Sequence, residues 1–290
     1  MNQVTKSRIS SLINDYRGLV DQNRQALKQI TVAEVAESVH QSNAIENSTL
    51  TLEDTERILA GSVPKTSQDL REIFEAKNLA RVTDLLQCEE PLTHDLILKW
   101  HGILLGDIRE DCAGRYRRAG EWVGVGTYLG ANPEYVQVLL TEALDRYAAS
   151  PCGSFLDDIA WFHCEFEIIH PFVDGNGRIG RVLINKQLRD LGLPPVIMRA
   201  KAKHTEYYPH LEKYGRTSNH EGMTTLLGLL LQESLNKRIV LLTSKRIITL
   251  SQWAQIHGAK PNIITNKAKR QTIPAFRVRG RWMISEDYQI

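Results

Sequence analysis

Apolar residues recur every three or four positions in two stretches near the middle of the chain. This spacing predicts one helix over residues 155–169 and a second over about 179–191. Pro171 ends the first helix just before it, because proline has no amide hydrogen and clashes with the preceding turn. Gly192 and the prolines that follow it end the second helix. The run HPFVDGNGRIGR, residues 170–181, is therefore predicted to be a tight loop that leads into the second helix.

The composition of this loop suits a phosphate ligand. Gly175 and Gly177 can adopt backbone angles closed to other residues, so successive amide hydrogens can converge at the positive end of the second helix. Such a concavity suits an anion, most commonly a phosphate. Arg178 and Arg181 lie three apart in the first turn and are expected to project from one side, where two guanidinium groups could neutralise a polyphosphate.

Two further loop residues could bind a metal and accept a proton. Asp174 offers the kind of carboxylate that holds magnesium beside substrate phosphates. His170 is the only group in the loop able to accept a proton near neutral pH. Taken singly, each of these residues fits a helix end or a solvated helix face at least as well. Together they predict a base, a metal ligand and a triphosphate site.

The run resembles the Fic family signature HxFx(D/E)GNGRxxR at every fixed position. The resemblance implies an all-helical Fic core that transfers AMP from ATP to a hydroxyl of a protein. It implies that His170 takes the proton from that hydroxyl and that Asp174 holds Mg2+. Asn176 and the loop amides would then bind the α-phosphate, Arg178 the β-phosphate and Arg181 the γ-phosphate.

A second informative stretch is TVAEVAESVHQSNAIEN, residues 31–47. Thr31 and Glu34 have the spacing of a capping box and Asn47 is a plausible helix stop, so a helix is predicted over about 31–47. Glu46 falls on the face of this helix that is expected to be buried. A buried carboxylate needs a partner.

The resemblance suggests that partner. Ser42 to Asn47 resembles the inhibitory motif Ser/Thr-x-x-x-Glu-Gly/Asn found ahead of the core in one class of Fic proteins, whose glutamate pairs with the second signature arginine, here Arg181. The motif is short, and a solvated helix residue is the alternative interpretation of Glu46.

Two segments near the loop carry weaker patterns. Residues 113–136 are glycine-rich and β-prone, which predicts a short hairpin ahead of a helix from Glu134 to Ala149. The hairpin resembles the Fic flap, whose edge would hold a target segment by strand addition; a surface hairpin without a partner is the alternative. Residues 204–215 resemble the family's adenosine-side segment, in which Tyr207 and Tyr208 would line the nucleoside pocket, although aromatic rings suit a core equally well.

The formal net charge of +2 hides an asymmetry along the chain. From Lys237 onward there are 11 Lys and Arg against 2 acids, or +9, and the preceding residues carry 25 against 32, or −7. Helices are predicted over 250–257 and 262–270, followed by a hairpin over 276–284 that turns at Arg279-Gly280. This tail resembles an excisionase-like winged helix-turn-helix, which would grip DNA phosphates. Packing on the core, docking of protein targets and dimerisation are the alternatives.

These patterns together predict a mainly α protein with a Fic core over residues 1–236, a β-hairpin flap and a small basic winged-helix-like domain over 237–290. The predicted function is a self-inhibited protein adenylyltransferase that uses ATP and Mg2+ and can modify itself. Removal of AMP, or DNA-binding regulation in which the core senses nucleotide, are the alternatives, and the intact His170 favours catalysis. The N-terminus has no apolar signal segment and the longest apolar runs are too short to cross a bilayer, so a cytoplasmic protein is expected.

Overall fold

A computed structural model describes residues 1–63, 69–126, 128–149 and 154–289 of the chain, and it is mainly helical, as predicted. The elements up to residue 148 are α1 (Gln3–Val20), α2 (Arg24–Ile45), α3 (Leu52–Leu59), α4 (Leu70–Asp84), α5 (His94–Leu105), β1 (Gly124–Val125), β2 (Tyr128–Leu129) and α6 (Val136–Ala148). The later elements are α7 (Phe155–Ile169), α8 (Asn176–Asp190), α9 (Tyr208–Thr217), α10 (Glu221–Thr243), β3 (Ile247–Thr249), α11 (Leu250–Ile256), α12 (Pro261–Lys269), β4 (Phe276–Val278) and β5 (Arg281–Ser285).

The chain forms two compact units. One comprises residues 1–34, 193–196 and 225–290, and the other comprises residues 35–192 and 197–224. Among the described residues, no helix combines the length and the apolar character that a bilayer crossing requires.

In the second unit, α7 and α8 form the centre. α7 contacts α6, α8 and α9, and α8 also contacts α4 and α5. Both helices bury runs of consecutive residues, Ile159–Cys164 on α7 and Arg178–Ile184 on α8, so more than one side of each is buried. The loop between them is therefore held at both ends by buried helices. The predicted end of α7 is confirmed: His170 adopts left-handed backbone angles, with φ 52°, directly after Ile169.

The predicted start of the N-terminal helix is wrong. α2 begins at Arg24 and runs through Thr31, whose Oγ1 donates to the Leu27 carbonyl 3.1 Å away instead of capping a helix. Glu34 is buried and accepts a 2.6 Å hydrogen bond from Arg238 Nη2, a partner 204 residues away that the sequence does not reveal.

The predicted stop of the same helix is confirmed. α2 ends at Ile45, Asn47 has φ 69°, and the amide of Ser48 donates to the Asn43 carbonyl at 3.0 Å. This is the left-handed residue and wrapped-back hydrogen bond of a common helix C-terminus.

In the other unit, residues 247–285 form an antiparallel sheet in the order β3-β5-β4 together with α11 and α12. The predicted helices and hairpin are confirmed, and Arg279 and Gly280 both have positive φ, as a two-residue hairpin turn requires. β3 was not predicted, since its pairing with β5 joins residues more than thirty positions apart. One face of the sheet packs against a core that includes Trp253 and Ile264.

Several basic residues of this unit have acidic partners within it, so the positive tail is less highly charged than its sequence suggests. The pairs are Lys237 and Arg238 with Glu34, Arg246 with Glu286, and Arg277 with Glu233.

Candidate active site

The loop is closed by the side chain of Asn176. Its Oδ1 accepts from the amide of Phe172 and its Nδ2 donates to the Phe172 carbonyl, both at 2.8 Å, and Asn176 is 2% exposed. The side chain is thus occupied in shaping the loop, and the group that it would offer to a phosphate is its backbone amide. Gly175, with φ 81°, precedes it as the N-cap of α8.

Gly177 is required for a different reason from the one predicted. It lies in α8 and does not have a positive φ, so backbone freedom is not what it supplies. A Cβ atom there would collide with Glu46 Oε1 and would lie 2.9 Å from Arg181 Nη1. Glycine therefore leaves room for a charged group to approach the start of α8 closely.

His101 supports the loop from α5, and sequence reasoning missed it. Its ring stacks on Phe172 with centroids 3.6 Å apart, its Nδ1 accepts from the amide of Gly114, and its Nε2 lies 3.0 Å from the Asp174 carbonyl. Because Nδ1 accepts, Nε2 carries the hydrogen and donates to Asp174. Burial lowers the pKa of His101 to about 4, which keeps the ring neutral. A single histidine in an apolar helix gives no signal of this role.

His170, the candidate base, has a neutral ring with a fixed orientation. Its Nδ1 lies 3.2 Å from the Glu167 carbonyl, so Nδ1 carries the hydrogen and donates, which leaves the lone pair on Nε2. Nε2 has no hydrogen-bond partner among the described residues. Burial lowers the pKa of His170 to about 4, against a smaller rise from the Glu167 carbonyl. The group can therefore accept a proton throughout the neutral range.

Arg117 fixes the backbone of His170 and was also missed. The buried guanidinium donates from Nε to the His170 carbonyl at 2.8 Å and from Nη2 to the Ala131 carbonyl at 2.7 Å. Nη1 donates to the Glu121 carbonyl at 2.9 Å. Glu121 and Ala131 stand on either side of the β1–β2 hairpin, so one residue ties both ends of the hairpin to the base.

The two loop arginines have separate acidic partners. Arg178, with its side chain 3% exposed, pairs with Asp174 at 3.0 Å and with Glu75 on α4 at 3.1 Å. Arg181 Nη2 donates to Glu46 Oε1 at 2.8 Å, and its Nε donates to the Ser42 hydroxyl at 2.9 Å. The pair that the inhibitory motif implies is thus present.

The prediction that Glu46 is buried is wrong. Its side chain is 39% exposed, whereas that of Arg181 is 8% exposed. Glu46 directly follows the last residue of α2, so its carboxylate extends over the start of α8 instead of into a core.

Residues 91–188, which include α7 and the whole loop, match the model of the Fic/DOC family. The chain carries a Fic/DOC-family domain. α2 with Glu46 and α4 with Glu75 lie outside the matched residues.

Relatives of this Fic domain include named adenylyltransferases. Protein adenylyltransferase Fic of Nematostella vectensis is 33% identical over 183 residues, which are 60% of this chain and 42% of that protein. Protein adenylyltransferase fic-1 of Caenorhabditis elegans is 32% identical over 182 residues, 60% of this chain and 35% of that protein. The matches therefore span less than half the length of these relatives.

Solved Fic structures share the fold. A Fic domain containing signaling protein from Bacteroides thetaiotaomicron has a TM-score of 0.70 at 23% identity, covering 80% of this chain and 96% of that one. A Fic family protein from Desulfovibrio desulfuricans has a TM-score of 0.68 at 20% identity, covering 98% and 97%. The predicted Fic fold is confirmed.

Near the Fic loop, the two tyrosines occupy different environments. Tyr207 is 4% exposed and its hydroxyl lies 2.8 Å from His163 Nε2, so it packs in the core beside Arg181. Tyr208 is half-buried and donates to the Ile45 carbonyl at 3.1 Å, next to the end of α2.

The predicted flap hairpin is confirmed as β1 and β2, which pair antiparallel with Val125 opposite Tyr128. Leu129 is 64% exposed. Thr127, between the strands, lies outside the described residues. The helix predicted from Glu134 begins at Val136, because a short turn over Pro133–Tyr135 precedes it.

Proposed function

We propose that the chain transfers AMP from ATP to a hydroxyl side chain of a target protein, itself included. The observation that carries the proposal is the hydrogen bond of His170 Nδ1 to the Glu167 carbonyl, which leaves the Nε2 lone pair as the proton acceptor at the beginning of the loop that leads into α8. The target hydroxyl gives its proton to Nε2 while its oxygen bonds to the α-phosphorus. The bond from that phosphorus to the bridging oxygen breaks, and pyrophosphate leaves with the electron pair.

Each loop group then has a task. The amides of Gly175, Asn176 and Gly177 bind the α-phosphate at the positive end of α8, and Arg178 and Arg181 bind the β- and γ-phosphates. Tyr208, next to the end of α2, borders the nucleoside side, whereas Tyr207 packs in the core beside Arg181. The exposed edge of the flap holds the target segment by strand addition.

Asp174 fits Mg2+ as a single carboxylate beside phosphate groups. The described part of the chain contains no group of three or more His, Cys, Asp or Glu able to bind a metal by itself. Phosphate oxygens would therefore supply other ligands. When bound, Mg2+ offsets the charge of the departing pyrophosphate.

The same geometry supports the proposal that Glu46 inhibits the site. The Glu46 carboxylate occupies the guanidinium of Arg181 and the space over Gly177. While it does so, the γ-phosphate lacks its arginine, and ATP does not settle with its α-phosphate in line for attack.

Glu46→Gly tests both parts of the proposal. This variant should gain AMP transfer, most visibly to itself, because ATP replaces the carboxylate that Arg181 loses. Labelled ATP, a cell lysate and mass spectrometry of the products measure the gain. The double variant Glu46→Gly/His170→Ala is the control and should lose transfer by about 10²- to 10⁴-fold while still binding ATP. Equal transfer by Glu46→Gly and the unaltered chain would show that Glu46 does not inhibit, and equal transfer by the double variant would show that His170 is not the base.

DNA binding by the basic residues 237–290 is a second candidate function. The supporting observation is a winged-helix-like arrangement in which Lys269 and Arg270 are exposed at the end of α12. Full-length Lys269→Glu/Arg270→Glu should bind duplex DNA more weakly, with a shallower salt dependence than the unaltered chain. Lys28→Glu, an exposed change on α2, is the matched control. Absence of DNA binding by the unaltered chain at low salt rules the function out.

A further inference from the structure

Both oxygens of the Asp174 carboxylate are occupied by guanidinium groups. Arg71 Nη2, on α4, donates to Oδ2 at 2.7 Å, and Arg178 Nη2 donates to Oδ1 at 3.0 Å. The Asp174 carboxylate therefore already has a guanidinium hydrogen bond on each of its oxygens.

Glu75 completes a closed arrangement of alternating charges. It lies one turn after Arg71 on α4, and its Oε1 is 3.1 Å from both Arg71 Nε and Arg178 Nη1. The side chain of Arg178 is 3% exposed, whereas that of Arg71 is 48% exposed. Arg178 would leave an unpaired charge in a buried position if it moved. Arg71 can leave Asp174, remain beside Glu75 and be solvated.

We propose that Arg71 is a positioning residue that neutralises Asp174 when the site holds no metal and gives up Oδ2 when Mg2+ binds with the nucleotide. The inference rests on the proposed function, which assigns Mg2+ to Asp174. Without Arg71, a metal-free Asp174 would repel the phosphates of ATP, since only one arginine would remain on its carboxylate. When Mg2+ is present, removal of Arg71 would instead remove a cation that competes with the metal for Asp174. Arg71 thus weakens the dependence of nucleotide binding on Mg2+.

The measurement is the Kd of a non-hydrolysable ATP analogue, in EDTA and in saturating Mg2+, for full-length chains that all carry Glu46→Gly. The Kd in EDTA divided by the Kd in saturating Mg2+ reports how much the metal strengthens nucleotide binding. Arg71→Gln should increase this ratio by about threefold to fivefold, the size expected for a half-exposed ion pair. Arg24→Gln is the matched control, because Arg24 Nη2 pairs with Asp21 on the surface at the same 2.7 Å.

Other outcomes separate this inference from the proposed function. If Arg71→Gln raises both Kd values equally, Arg71 is a phosphate ligand and the proposal is overturned; an unchanged or smaller ratio overturns it too. Asp174→Asn should reduce the ratio to near one, and adding Arg71→Gln to Asp174→Asn should then change nothing further. A ratio that Asp174→Asn leaves intact would refute the assignment of Mg2+ to Asp174 instead.

Discussion

The ring of His170 is held by its own backbone neighbourhood and by a distant arginine. The left-handed conformation at the end of α7 turns the residue out of the helix, and Arg117 binds its carbonyl. Nδ1 donates to Glu167, so the proton-accepting atom is fixed as Nε2. These two contacts orient the residue that we propose as the base.

The low pKa of His170 predicts the pH dependence of transfer. The proposed base is the neutral ring, and the pKa of His170 is about 4. We therefore expect kcat/KM of Glu46→Gly to stay level as pH falls from 8 to about 5 and to decline only nearer 4. Initial rates with labelled ATP in buffers of constant ionic strength measure the profile. An acid limb near pH 6.5, the ordinary value for histidine, would show that burial does not control this ring.

At the scale of elements, the end of α2 and the start of α8 are joined by the ion pair of Glu46 with Arg181. α2 ends at Ile45 through local hydrogen bonds, and this places Glu46 over the first turn of α8. Gly177 makes that approach feasible, since any side chain there would meet the carboxylate.

Gly177→Ala should therefore reveal the contact between these helices. Alanine normally stabilises a helix interior by about 0.5–1 kcal/mol relative to glycine. Here the clash with Glu46 should make Gly177→Ala destabilising when Glu46 is present. In the Glu46→Gly background the same substitution should destabilise the protein less, or stabilise it. Thermal unfolding of the four chains in a double-mutant cycle measures the coupling. Additive effects of the two changes would contradict this arrangement. Transfer should be absent in both alanine variants, because the methyl group obstructs the phosphate site.

At the scale of the whole molecule, buried ion pairs join segments that are far apart in the chain. Glu34 on α2 accepts from Arg238 on α10 at 2.6 Å and from Lys237 at 2.8 Å, and the side chain of Arg238 is 1% exposed. Glu34 therefore serves in a buried ion pair and not in the capping box that the sequence predicted.

Glu34→Ala should destabilise the protein by about 3–5 kcal/mol, because it leaves buried cations without their partner. Glu34→Gln should cost less, since its amide oxygen still accepts from Arg238. Urea unfolding followed by circular dichroism measures both, and Glu142→Ala on the exposed face of α6 is the control. A loss no larger than that of the control would mean that the Arg238 charge is compensated elsewhere.

The sequence by itself determined the features that depend on near neighbours. Pro171 and the spacing of apolar residues define the end of α7, Asn47 ends α2, and Arg279-Gly280 turns the last hairpin. The loop signature also predicted the Fic domain, which the family match over residues 91–188 confirms. Backbone sterics and hydrogen bonds over four or five residues suffice for such features, so they can be predicted without knowledge of the fold.

Only the tertiary structure decided which groups meet in the site. Arg117 reaches His170 across 53 positions, His101 reaches Asp174 across 73, and Arg71 reaches Asp174 across 103. The start of α2, the pairing of β3 and the exposure of Glu46 depend on packing in the same way. A charged side chain could pair with any of several groups of opposite charge in the sequence. The strength of each pair depends on the distance between the charges and on their burial, and both are set only when the helices pack.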